Sequence, residues 1–246
     1  MKLTYSGKYA LVTGGTSGLA IQLAGIMINS DLFPILTYRN DKGLHKINQA
    51  LKSFDGLYSA VFLDFNDRLS LETLFLNFDK IDYLIDLAHG NLEKLIASAS
   101  GDEIYKYFEE NVSFRAGLIK SAAKAMLKNK KGRMIFISST SAGKSNPGQG
   151  FYAAAKLASE ALYRNLGLEL AGRGITALTL RTAYIDAGRG KKYFENNTEK
   201  ILNQMPIGRI LTAAEVAETI MFFLSDSASG FNAAEINLDG GFSASK

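Results

Sequence analysis

The chain has 246 residues, 47% apolar and 21% charged, which is enough to bury a large core and excludes a disordered protein. Its net charge of +4 comes without a basic run or an aromatic-interleaved patch, so nothing points to nucleic acid, and the absence of cysteine excludes disulfides and thiolate metal sites. His45 and His89 lack the spacing of a zinc pair, no apolar run reaches the roughly 18 residues of a membrane span, and "MKLTYSGKYALVTGG" lacks the h-region of a signal peptide, so a soluble cytoplasmic protein is expected.

Short apolar runs alternate with helical patterns throughout. "KYALVTGG" (8–15) reads as the first strand and "SGLAIQLAGIMINS" (17–30) as a helix opening on Ser17 and Gly18. "FPILTYR" (33–39) is a strand, "GLHKINQALKSF" (43–54) a helix, "LYSAVFLDF" (57–65) a strand, "LSLETLFLNF" (69–78) a helix and "KIDYLIDLA" (80–88) a strand. One long helix is predicted over 102–129, then the strand "GRMIFISS" (132–139) and the helix "YAAAKLASEALYRNLGLELA" (152–171). "GITALTLR" (174–181) and "AAEINLDGG" (233–241) close the set as strands.

Continuously apolar strands separated by helices predict an α/β fold, a doubly wound parallel sheet of Rossmann type with helices on both faces. With three prolines, no linker and no repeat, residues 1–246 read as a single domain. The least regular stretch, 184–204, follows the carboxyl end of a strand and is expected to be a substrate-covering lid.

"VTGGTSGLA" lies at the first strand-to-helix turn, where glycines admit a phosphate and the helix N-terminus stabilises it; the pattern is Gly14-x-x-x-Gly18-x-Ala20. At the end of the second strand stand Tyr38 and Arg39, with no acidic residue before Asp41. An arginine there pairs with a 2′-phosphate, so the expected cofactor is NADP(H) rather than NAD. Asp64, ending the third strand, is placed to accept from an adenine amino group, although a strand-end Asp is more often a helix cap.

Two Tyr-x-x-x-Lys spacings occur. Tyr38 and Lys42 straddle a strand-to-helix loop and share no face, whereas Tyr152 and Lys156 fall within an Ala-rich helix and do. "AGKS" (142–145) lacks the first glycine of a phosphate-binding loop, since Ser138 occupies that position.

Taken in order, "TGGTSGLA", "ISS", "YAAAK" and "NLDGG" resemble the short-chain dehydrogenase/reductase family over almost the whole chain. The run "PIGRILTAAEVAETIMFFLSD" is most similar to its β-ketoacyl-carrier-protein reductase branch. The resemblance implies a catalytic tetrad of Asn111, Ser139, Tyr152 and Lys156. Tyr152 would exchange the proton, Lys156 would lower its pKa and hold the nicotinamide ribose, Ser139 would bond the carbonyl oxygen, and Asn111 would hold a water linking Lys156 to solvent. It implies cofactor contacts at Gly14, Thr16, Ser17, Gly18, Leu19, Arg39, Asp64, Phe65, Ala88, Tyr152, Lys156 and Ile185. It also implies a homotetramer and an acyl-carrier-protein partner steered by Lys130 and Arg173 beside the cleft.

Departures from the family pattern surround the nicotinamide and substrate mouth. The usual "NNAG" reads "DLAH", Asp86 to His89. Thr182 and Ala183 stand where Pro-Gly is usual, and Ala187 replaces a threonine. A lone His is more often structural than catalytic. The expected function is NADPH-dependent reduction of a β-ketoacyl group, in general or specialised fatty-acid or polyketide-like synthesis. The alternatives are an oxidoreductase on a free ketone or alcohol, and a nucleotide sensor without turnover.

Overall fold

The structure, a computed structural model, describes residues 2–245 except the side chains of Arg189 and Lys192; residues 1 and 246 of the expected domain, and those two side chains of the expected lid, lie outside the described residues. Seven strands form one parallel sheet: β1 (Tyr9–Thr13), β2 (Phe33–Tyr38), β3 (Ser59–Phe62), β4 (Tyr83–Asp86), β5 (Gly132–Ser139), β6 (Ile175–Thr182) and β7 (Ala234–Leu238). Their order is β3-β2-β1-β4-β5-β6-β7. The chain reverses direction across the sheet between β1 and β4, and the carboxyl ends there open a crevice.

Side-chain alternation along each strand fills two cores. Ala10 and Val12 of β1 pack with Leu23 and Met27 of α1 (Gly18–Asn29), Ile47 of α2 (Asp41–Ala50), and Ile220 and Leu224 of α9 (Ala213–Leu224). Leu11 points the other way, joining Leu71 and Leu74 of α3 (Arg68–Asn77), Leu118 and Ala122 of α5 (Phe114–Asn129), and Tyr163 and Leu166 of α6 (Gly150–Leu170). Because both faces are covered, the strands read as continuous apolar runs.

Four stretches differ from what the sequence predicts. The long helix over 102–129 is interrupted: α4 (Gly101–Phe108) passes through one wide turn, Glu109–Ser113, before α5 begins. Such turns insert one extra residue into a helix, and this one turns Asn111 inward, leaving it 1% exposed. The third strand is shorter than 57–65, because the chain turns at Asp64, whose Oδ1 accepts from the backbone N–H of Asn66 at 3.0 Å. The expected irregular stretch holds two short helices, α7 (Gly188–Asn196) and α8 (Thr198–Leu202). Residues 213–224, assigned to no element from sequence, form α9, started by a reciprocal cap between Thr212 and Glu215.

Candidate active site

The turn after β1 is built for backbone approach. Gly14 has φ 65°, and a Cβ there would lie 3.1 Å from the Ala88 backbone nitrogen. A Cβ on Gly15 would meet the Thr37 backbone at 2.8 Å, so Gly15 lies flat on β2 and its N–H donates to the Thr37 carbonyl at 3.0 Å. Ser17 then caps α1 by accepting from the Ala20 N–H, and a Cβ on Gly18 would meet only Ala187, at 3.5 Å. A glycine turn free of side chains, leading into a helix N-terminus at the switch point, fits the pyrophosphate of a dinucleotide.

This turn opens on a cavity of about 560 Å³ at the carboxyl ends of the strands. Ser17, Leu19, Ser139, Tyr152, Lys156 and Ile185 line it together. Ser139 ends β5, and its Oγ accepts from the Ser141 N–H at 3.1 Å, which leaves its hydroxyl proton to donate into the cavity. One turn of α6 separates Tyr152 from Lys156. The Lys156 ammonium is buried, donates to the Ile137 carbonyl at 2.7 Å, and stands 5.8 Å from the Tyr152 ring centre and 4.7 Å from that of Phe136. His89 meets Tyr152 edge-on, ring centres 5.1 Å apart, and its Nε2 lies 3.0 Å from the Tyr107 hydroxyl. Tyr184, Tyr193 and Phe242 form the aromatic outer wall, with Tyr184 and Tyr193 stacked at 5.8 Å. Burial, followed by the neighbouring Tyr193 and Glu93, pushes the Tyr184 hydroxyl pKa up.

Asn111 lies behind this cavity rather than on its wall. Its Oδ1 accepts from the Gly90 N–H at 2.6 Å and its Nδ2 donates to the Tyr107 carbonyl at 2.9 Å, tying the loop after β4 to the wide helical turn. Beside it sits a buried network invisible to motif reading. Arg115 and Asp86 are both fully buried and pair at 2.7 Å. Asp86 also accepts from Thr13 at 2.6 Å and from Tyr163 at 2.9 Å, and Arg115 donates to the carbonyls of Asn111 and Ala88. Burial, reinforced by the Asp86 charge, holds the Tyr163 phenol well above its usual range, so it stays a neutral donor. A second network steadies the end of β5: Glu160 accepts from the Ser138 hydroxyl at 2.6 Å and from Arg181 at 2.9 and 2.5 Å. Two signals for these networks existed in the sequence: the Asp86 departure, and charged residues interrupting the apolar pattern of α5 and α6.

Among the expected cofactor contacts, Ala88 donates its N–H to Thr13 at 3.0 Å under the glycine turn, and Thr16 lies against Gly43. Arg39 is exposed at the end of β2 and forms no ion pair among the described residues. Asp64 is not the helix cap; Asp67 caps α3, and Asp64 keeps one carboxylate oxygen outside its turn. The Phe65 ring packs inward on Phe114, ring centres 4.6 Å apart, which leaves its backbone as the group nearest the crevice. Lys130 and Arg173 are a correction. They precede β5 and β6, at the amino ends of strands whose carboxyl ends carry the cleft, and a strand of eight residues separates them from it by roughly 23 Å. They do not stand beside the cleft of their own chain. No group of residues able to hold a metal occurs among the described residues.

A seven-stranded parallel sheet with a glycine turn at its switch point and a Ser–Tyr–Lys set on the adjoining cavity defines a nucleotide-dependent oxidoreductase. The chain belongs to the short-chain dehydrogenase/reductase family: the family model described as enoyl-(acyl carrier protein) reductase matches residues 14–243. It is similar to the 3-oxoacyl-acyl-carrier-protein reductase FabG of Salmonella typhimurium, 30% identical over 243 residues covering 97% of this chain and 98% of the relative. The Escherichia coli protein of the same name is 28% identical over the same shares. A solved short chain dehydrogenase/reductase family protein superposes with a TM-score of 0.88 at 25% identity, covering 99% of this chain and 100% of that one. The protein is an oxidoreductase acting on CH–OH and C=O groups with a nicotinamide cofactor.

Proposed function

We propose that the protein reduces a β-ketoacyl thioester, carried on an acyl carrier protein, to the hydroxyacyl product with NADPH, as a cytoplasmic homotetramer. The relatives named for 3-oxoacyl-carrier-protein reduction support the substrate. One observation carries the chemistry: a Ser139 hydroxyl left free to donate and the Tyr152 phenol, backed by Lys156, line one cavity.

The nicotinamide, when bound, supplies a hydride to the carbonyl carbon. The carbonyl oxygen then gathers negative charge, which the Ser139 hydroxyl stabilises by donating a hydrogen bond. Tyr152 gives that oxygen its proton, completing the alcohol, and the Lys156 ammonium stabilises the phenolate left behind. Gly14, Gly15 and Ser17 hold the pyrophosphate, with Thr16, Gly18, Leu19, Ala88, Ile185 and the Phe65 backbone around the dinucleotide. Asp64 accepts from the adenine, and Arg39 pairs with the 2′-phosphate. The wall of Tyr184, Tyr193 and Phe242, in and beside the 184–204 lid, excludes water from the reacting oxygen.

A second reading, reduction of a free small ketone, is favoured by the remoteness of Lys130 and Arg173 and by Glu93, a carboxylate at the cavity mouth that forms no ion pair among the described residues and repels a phosphate-bearing arm. Docking through Lys130 and Arg173 requires another subunit to bring them to its neighbour's cleft. The test is NADPH oxidation with an acetoacetyl thioester of N-acetylcysteamine and with acetoacetyl-carrier protein, for wild type and Tyr152→Phe. Turnover of the carrier substrate, reduced about 10²–10⁴-fold in the variant, is expected. Turnover of free ketones alone selects the second reading, and NADPH binding without turnover of any ketone leaves a nucleotide sensor.

A further inference from the structure

Ser139 is the last residue of β5, and the sheet supports it from one side only. β4 pairs with β5 as far as Phe136, so Ile137, Ser138 and Ser139 run on beyond it with β6 as their neighbour. Glu160 of α6, one turn after Lys156 and 2% exposed, reaches this overhanging end. It accepts from the Ser138 hydroxyl at 2.6 Å and, through both oxygens, from Nε and Nη2 of Arg181 at 2.9 and 2.5 Å. Arg181 lies opposite Ser138 in the register of β5 and β6 and reaches on to Glu235 of β7 at 3.5 Å. A Cβ on Gly143 would lie 3.3 Å from Nη1 of Arg181, so the guanidinium also sits against the turn that follows Ser139. Stability explains such a network poorly, because apolar side chains of similar volume commonly serve a buried site as well. Apolar side chains, however, do not fix direction, and a two-point bond between carboxylate and guanidinium does.

We propose that Glu160, oriented by Arg181, is a positioning residue for Ser139: through Ser138 it ties the overhanging end of β5 to the helix that carries Tyr152. Residue 138 is held twice, since its carbonyl also accepts from the Thr182 hydroxyl at 3.3 Å. The peptide that leads into Ser139 is thereby fixed, and the Ser141 N–H at 3.1 Å then sets the direction of the Ser139 Oγ. One substrate oxygen has to receive the Ser139 and Tyr152 donors together, each within a hydrogen-bond window of about 2.6–3.2 Å. A drift of about 1 Å at the end of β5 removes the first of these bonds.

The inference rests on Ser139 as the donor to the reacting oxygen, and its test separates the two claims. Two variants remove the tie. Ser138→Ala deletes one bond and leaves the ion pair, whereas Glu160→Leu with Arg181→Met replaces the pair by apolar side chains. Each is made with and without Ser139→Ala, and kcat and KM are measured with NADPH and a ketone that wild type reduces. With Ser139 present, kcat is expected to fall about 10-fold in Ser138→Ala and about 10- to 100-fold in the paired variant, at constant KM. In the Ser139→Ala background neither change is expected to lower kcat further, because the residue it positions has lost its hydroxyl. A merely structural network lowers kcat equally in both backgrounds, or moves only the melting temperature, and either result overturns the proposal. Amide hydrogen exchange, read without substrate, is the second arm. Exchange at 139–143 is expected to quicken about tenfold in both variants while 133–136 stays as in wild type. Unchanged exchange at 139–143, or protection lost along the whole strand, also overturns the proposal. Should the paired variant fail to fold, Ser138→Ala decides alone on both readouts. If wild type reduces no ketone, the proposed reaction fails, while exchange still decides whether Glu160 holds the end of β5.

Discussion

In the proposed reaction Ser139 is the donor, because one lone pair of its Oγ is already engaged. The Ser141 N–H points at Oγ from the next turn, so the hydroxyl proton is the group left for a substrate oxygen. Ser139→Ala is therefore expected to lower kcat about 10²–10³-fold with little change in KM, because the lost bond strengthens as charge develops on that oxygen. Steady-state kinetics on the substrate that wild type accepts checks this, and an equal rise in KM at constant kcat would assign Ser139 to ground-state binding. At the other end of the dinucleotide, Arg39 is exposed and forms no ion pair among the described residues. A charge-assisted bond to a 2′-phosphate is worth about 1.5–3 kcal/mol. Arg39→Ala is expected to raise the KM for NADPH about 10- to 100-fold and leave NADH unaffected. Equal effects on both cofactors would remove Arg39 from the phosphate site.

Elements differ in how legible they were, for physical reasons. The strands were plain because two buried faces make continuous apolar runs, and the Tyr152–Lys156 helix was plain because its spacing and alanine content agree. The wide turn at Glu109–Ser113 was not, since one inserted residue leaves the amphipathic pattern of 102–129 nearly intact. Arg115 was hidden for a different reason: its partner Asp86 lies 29 residues away on another element, and only the fold joins them. The reciprocal cap of α9 is legible in "TAAE", where Thr212 and Glu215 stand at the spacing of a capping box. That cap makes a prediction of its own. Thr212→Ala is expected to destabilise the protein by about 1 kcal/mol, measured by urea unfolding, because α9 covers one face of the sheet. The carboxyl of Glu215 is held down to about 2, chiefly by Arg209, then by the Thr212 backbone N–H and hydroxyl. A lowered folded pKa means that its contribution is complete above the unfolded value near 4.5 and is lost as the pH falls toward 2. The group is exposed, so salt screens this contribution. Below pH 2 the Glu215→Gln variant and wild type should converge in stability, and a constant difference from pH 7 to pH 2 would deny the linkage.

At the scale of the whole molecule, the sheet gathers its chemistry at one end and leaves an apolar groove on one side. Between α5 and α6, Ala116, Ile119, Ala123, Leu127, Leu162 and Leu166 line this groove, rimmed by Lys120, Lys124 and Glu169. Farther along α6, Leu168 is 65% exposed. A homotetramer that pairs this face with its copy buries these side chains, and mixed charges on the rim suit a contact between identical surfaces. Such a contact would brace α6 from outside, along the half of the helix that follows Tyr152 and Lys156, and so link assembly to catalysis. Leu162→Glu places a carboxylate in the groove without touching the cavity. Sedimentation velocity is expected to give wild type a mass four times that of one chain and the variant a smaller species with the same circular dichroism. If assembly braces the site, kcat falls in that variant and recovers with protein concentration. A wild type that sediments as a single chain, or a dissociated variant with full kcat at every concentration, would separate the groove from the reaction.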